Sequence, residues 1–180
     1  MADWVWAHIA PYATLPVFAG FFVVSLLFLL VLFPLTKRHF KGIVTLDGNP
    51  WGFSVADAEQ LLGRDMTPDQ LKAYRQQEML TDMVFPLVYG FGFAIAMVML
   101  ARYNGAPRWL IFLPLAAALA DYVENISVTA MIGRKLRGEK DLGPMASIGS
   151  VASRFKHFLL LATVLVLLGL CGLALWRRYF

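Results

Sequence analysis

Residues Phe158 to Trp176 read FLLLATVLVLLGLCGLALW, an unbroken apolar run without one charged side chain. At about 1.5 Å of rise per residue, a helix of that length nearly matches the roughly 30 Å hydrocarbon core of a bilayer. Working outward, three more stretches are long and apolar enough for the same role, at about 13–35, about 80–101 and about 109–132, the second holding Asp82 and the third Asp121 and Glu124. The expected fold is therefore all-α: one polytopic membrane domain over residues 1–180, built as a four-transmembrane-helix bundle.

Composition agrees. Apolar residues make up 59% of the chain and charged residues 16%, against about 45–50% and about 25% in an ordinary soluble domain. A soluble core does not need that excess, so the excess faces lipid. The segment before the first span carries Asp3 and no Lys or Arg, unlike a cleaved signal peptide. The basic cluster Lys37, Arg38 and Lys41 follows that span instead, as expected for a retained helix.

Charge also orients the chain. Lys37, Arg38, Lys41, Arg64, Lys72 and Arg75 lie between spans one and two. Arg134, Lys135, Arg137, Lys140, Arg154 and Lys156 lie between spans three and four, leaving only Arg102, Arg108, Arg177 and Arg178 for the other side. Basic residues mark cytoplasmic loops, so both termini are expected outside and both long loops in the cytoplasm. The basic excess fits contact with anionic lipid, and no basic and aromatic cluster points to nucleic acid. The lone Cys171 sits in span four and reads as a small hydrophobe; no Cys/His spacing suggests a metal site.

The loop at about 36–79 is too long for a plain connector. Asp47-Gly48-Asn49-Pro50 is a turn signal. Ser54 with Asp57 resembles a capping box opening a short amphipathic helix from Val55 to Leu62. Thr67-Pro68-Asp69 starts the second of two short amphipathic helices expected in this cytoplasmic loop, one that would run on into span two. These helices are expected to bury Leu61, Leu62 and Leu71, with Trp51 and Phe53 near the headgroups. The loop either caps the bundle or acts as a lid.

Span three carries the chemistry. An ionisable side chain within a bilayer is costly unless paired or wet, and so marks a candidate site. Asp121, Glu124, Asn125 and Val128 share one helix face. Asp121 falls about 18 Å from Trp109, near mid-membrane, where its titration is the most open to perturbation. On the fourth helix Ser147, Ser150, Arg154 and His157 share a face, and Ala146, Gly149, Ser150 and Ser153 permit close approach. Asp82 and Tyr89 lie on span two. The candidate ligand-binding set is thus Asp82, Tyr89, Asp121, Glu124, Asn125, Arg154 and His157, with Arg154 expected to pair with Glu124. No catalytic residue or cofactor can be assigned, and no nucleophile elbow, phosphate loop, dinucleotide fingerprint or zinc-protease motif occurs.

Leu46-Asp47-Gly48-Asn49-Pro50-Trp51-Gly52-Phe53, Phe85-Pro86-Leu87-Val88-Tyr89-Gly90 and Ala120-Asp121-Tyr122-Val123-Glu124-Asn125 together resemble a group of bacterial four-helix inner-membrane proteins without an assigned activity. The resemblance covers about 36–132, with Asp121-x-x-Glu124-Asn125 its most specific element. It implies a bacterial inner membrane and no function. Three readings follow for the polar cluster. The first is a site between helices two, three and four for a lipid-like or other apolar molecule, open to the cytoplasmic leaflet. The second is a packing device in an accessory subunit of a membrane complex. The third is a proton-coupled carrier working as a homo-oligomer.

Overall fold

The computed structural model describes residues 1–40, 42–139 and 141–179; Lys41 and Lys140, both counted above among the basic loop residues, lie outside the described residues. Among the described residues there is no strand, and four helices are long and apolar enough to cross a membrane: Leu15–Phe40, Pro68–Asn104, Arg108–Leu136 and Gly143–Tyr179. The protein is a multi-pass membrane protein on those four spans. Alternation places both chain ends on one side of the bundle, and the loops after spans one and three on the other.

Local chemistry sets the boundaries. Thr67 caps span two reciprocally: its hydroxyl accepts from the Gln70 N–H at 3.3 Å, and Gln70 Oε1 accepts from the Thr67 N–H at 2.9 Å. Pro68 follows at the first helical position, where no N–H is needed. The helix then runs unbroken to Asn104, so the second start in the loop is the first turn of span two and not a separate short helix. Span one contains one widened π-helical turn, Phe28–Leu32, immediately ahead of Pro34. Pro34 has no N–H for the Leu30 carbonyl, which is where a helical ladder loosens.

Span three is the centre of the bundle. It packs along span two on one side and span four on the other, whereas span one rests on span two and meets span four at most marginally. Gly90 is why spans two and three come so close: a Cβ there would stand 2.8 Å from the Ala118 Cβ. Pro86, in mid-helix, frees the carbonyl of Asp82, four residues earlier. Span three repairs the gap, with Asn125 Nδ2 donating to the Asp82 carbonyl at 2.6 Å and Tyr122 Oη to the Met83 carbonyl at 2.8 Å.

The loop end is a packed cap. A short helix, Val55–Gln60, opens on the capping box of Ser54 and Asp57, whose backbone N–H groups are each bound by the other's side chain. Those hydrogen bonds hold the Asp57 carboxyl below the usual carboxylate range. The helix buries Ala58, and the wider turn that follows buries Leu61 and Leu62; with Phe40, Phe53, Leu71 and Tyr74 they pack on Met131 and Ile132 of span three. Trp51 is 81% exposed while Phe53 is buried, so the two do not share one environment. Gly52 has φ +76°, and a Cβ there would lie 2.7 Å from Ser150 Oγ; the chain can cross span four only with glycine at that point. The opposite end is closed by a helix that the sequence reading did not expect. Ala2–Ile9 lays Trp6 on Ala94, Val98, Ala101 and Ile111, and Asp3 meets Arg108 across the surface at 2.8 Å.

Candidate functional site

The ammonium of Lys156, on span four, sits between the two acids of span three. Its Nζ is 3.2 Å from Asp121 Oδ1 and in direct contact with the Glu124 carboxylate. Asp121 is held on its other side by Tyr89 of span two, whose hydroxyl donates to Oδ2 at 2.9 Å. Three helices are thereby tied through the buried triad Asp121, Glu124 and Lys156 together with Tyr89. Salt bridges within hydrocarbon survive only when each charge is answered, as both of these are.

This corrects the expected pair. Arg154 does not reach Glu124; it is exposed, and its Nε donates to the Trp51 carbonyl at 2.8 Å, pinning the loop to span four. Lys156, counted above among the loop cations, is instead a buried bundle residue. Side-chain direction decides the matter. The small-residue stripe Ala146, Gly149, Ser150 and Ser153 faces span three, and its continuation at helical spacing is Lys156 and then Thr163, all of them buried. Arg154 lies off that stripe. The signal was present in the sequence but is carried by the stripe's continuation, not by the serines' own face.

Of the other expected site residues, Tyr89, Asp121 and Glu124 converge on the triad. Asn125 is adjacent, but its donor is spent on the Asp82 carbonyl that Pro86 frees, which gives it a packing role. Asp82 Oδ2 accepts from Gln77 Nε2 at 3.0 Å. His157 is half-buried, with Nδ1 2.8 Å from the Ser153 carbonyl of its own helix. Three residues outside the expected site set also gather here. Gln77 lies 4% exposed in span two, Glu78 is fully buried beside it, and Asp47 accepts from the buried Tyr74 hydroxyl at 2.9 Å. The last follows from the Asp47-Gly48 turn folding back over the bundle, which no local pattern announces.

The cluster opens on a cavity of about 760 Å³, within the range of ligand pockets. Its polar end is lined by Asp47, Gln77, Asp82, Tyr89, Asp121, Asn125, Lys156 and His157, with Lys37 also in the lining. From there it runs between spans one, two and four toward Leu15, Leu100 and Cys171 through a wall of Phe18, Phe22, Phe93, Ala96 and Leu167. The distance along span four from Lys156 to Cys171 is about 22 Å at about 1.5 Å per residue. The cavity therefore lies between spans one, two and four, and span three contributes only Asp121 and Asn125. Because spans one and four barely touch, its long side is open to the surroundings of the bundle.

Aromatic contacts shape the wall near the polar end. Phe85 stacks on Phe28 of span one at 5.4 Å and meets Tyr89 edge-on at 5.2 Å. That chain of rings runs from the widened turn of span one to the triad. Among the described residues, no group of His, Cys, Asp and Glu has the arrangement to hold a metal ion. Compared with protein-family models, curated proteins and solved structures, the chain matches none. The resemblance at Asp121, Glu124 and Asn125 therefore rests on the sequence alone.

Proposed function

We propose that this protein holds an amphiphile in its cavity, polar head at the Asp82–Asp121 end and hydrocarbon toward Cys171. The observation that carries the reading is the cavity's amphipathic wall. Ionisable and amide side chains are gathered at one end, followed by some 22 Å of apolar lining. A soluble small molecule has no use for that tail, and a purely structural cluster has no use for the space. The gap between spans one and four supports entry sideways from the bilayer. With both termini outside a bacterial inner membrane, the polar end falls in the cytoplasmic leaflet, and the loop from Leu46 to Phe53 roofs it.

A second reading has its own support, confined to the triad and Tyr89. Asp121, Lys156, Glu124 and Tyr89 answer one another and tie spans two, three and four, which is what an accessory subunit would need. The two readings divide the residues: Glu124 and Lys156 hold the bundle, while Asp82, Gln77 and the outer face of Asp121 meet the ligand.

The experiment is native mass spectrometry of the full chain released from mild detergent. An adduct of amphiphile mass is expected on the wild type. Ser25→Phe with Cys171→Phe, which fills the cavity from its two apolar walls, should remove it without lowering the melting temperature. An adduct of unchanged occupancy in the filled variant would refute a cavity-bound ligand.

A further inference from the structure

The polar end of the cavity is rich in acceptors and short of free donors. Gln77 Nε2 is fixed by Asp82, which leaves Gln77 Oε1 buried in the wall without a hydrogen-bond partner. Asp82 has its second oxygen to offer, as does Asp47, whose Oδ1 is taken by Tyr74. Behind them Glu78 is fully buried with neither oxygen hydrogen-bonded. Five carboxylates, Asp47, Glu78, Asp82, Asp121 and Glu124, are close enough to act on one another's charge, and the ammonium among them is that of Lys156. Lys156 is already divided between Asp121 and Glu124. The other cation in the lining, Lys37, is exposed at the end of span one, and the imidazole of His157 spends Nδ1 on its own helix.

Taken with the reading of the cavity as an amphiphile site, on which this rests, we infer that the bound head group is a primary ammonium. An ammonium brings three donors and one positive charge, which is what Gln77 Oε1, Asp82 and Asp47 lack. A carboxylate head, or a phosphate head with no ammonium beside it, would add a like charge to the acids and leave the Gln77 acceptor unanswered. A hydroxyl head would satisfy one acceptor and none of the charge. Two sources share the chemistry, a single-chain amine and the amino head of a phospholipid.

The test uses the full chain in phosphatidylcholine nanodiscs, whose neutral surface does not sort the probes by charge. Octadecylamine, octadecanol and octadecanoate are titrated and their retention read by native mass spectrometry. Octadecylamine is expected to be held at about tenfold lower concentration than either of the others. Asp82→Asn, which keeps an oxygen for Gln77 Nε2, should erase that preference at an unchanged melting temperature, and Gln77→Leu should erase it in the fraction that remains folded. If phosphatidylethanolamine competes with the amine, the phospholipid is the source; if it does not, the source is the single-chain amine. Octadecanol or octadecanoate held as tightly as the amine overturns the ammonium assignment and leaves the cavity reading standing. Equal retention of all three by the wild type and by the filled variant Ser25→Phe with Cys171→Phe overturns the cavity reading itself.

Discussion

Replacing Lys156 with Met removes the cation that two buried acids share. Lys156 and Asp121 each keep about 10% of their side-chain surface exposed and Glu124 keeps none, so water cannot stand in for the ammonium. Removing one partner of a buried pair typically costs about 3–5 kcal/mol, because the remaining charge is left uncompensated. Here two carboxylates are left, so Lys156→Met is expected at or above the upper end of that range. Arg154→Met provides the comparison. Arg154 is exposed and gives one hydrogen bond to the Trp51 carbonyl, a loss of about 1–2 kcal/mol. The triple variant Asp121→Asn, Glu124→Gln, Lys156→Met removes all three charges together and should recover most of the stability. Equilibrium unfolding in mixed micelles with a rising fraction of dodecyl sulfate, followed by circular dichroism, ranks the four proteins. A Lys156→Met protein no less stable than Arg154→Met, or a triple variant no better than the single one, would refute the reasoning.

Further outcomes follow from the same geometry. Asn125→Leu should cost about 1–3 kcal/mol by orphaning the Asp82 carbonyl, and adding Pro86→Ala should restore much of it by supplying an N–H; a double-mutant cycle that is additive would contradict this. Ser54→Ala should destabilise the loop by about 1 kcal/mol and bring the Asp57 midpoint back up toward the ordinary carboxylate range in an NMR titration. Since Asp57 titrates below its usual range in the folded chain, the capping contribution is present above that range. It is lost as pH falls through the folded midpoint. Cysteine scanning of the loop from Val44 to Met66, in a Cys171→Ala background, should label only in permeabilised cells; labelling in intact cells would invert the topology.

Much of the architecture was legible in local pattern. Four spans follow from the length of apolar runs, the capping box was visible as Ser54 with Asp57, and the start of span two as Thr67 before Pro68; the reciprocal partner Gln70 was not. The acids of span three were legible because a carboxylate in hydrocarbon must have a reason. What stayed hidden depends on which elements meet. Arg154 and Lys156 are two residues apart, and only the packing of the small-residue stripe decides which of them turns inward. Between Ala13 and Leu35 span one carries no ionisable side chain, and its one mid-span hydroxyl, Ser25, bonds its own helix, so nothing in its Leu and Phe run marks it as a cavity wall. The N-terminal helix is short, and its anchor is the single Trp6, buried against residues nearly a hundred positions away. Asn125 was legible as a polar group of span three, but its bond to the Asp82 carbonyl was not, because that partner is freed by Pro86 on another helix.

The most direct test of the account is where a photoactivatable lipid chain reacts. A diazirine-bearing octadecyl chain, irradiated with the protein in nanodiscs and located by peptide mass spectrometry, should concentrate on Phe93, Ala96, Leu167 and Cys171. An excess of unlabelled chain should suppress that labelling. Val151 and Phe155, exposed on the far side of span four, should label weakly and without competition. Labelling spread evenly over both faces, and unaffected by competitor, would mean that the cavity holds only bulk lipid and that the account is wrong.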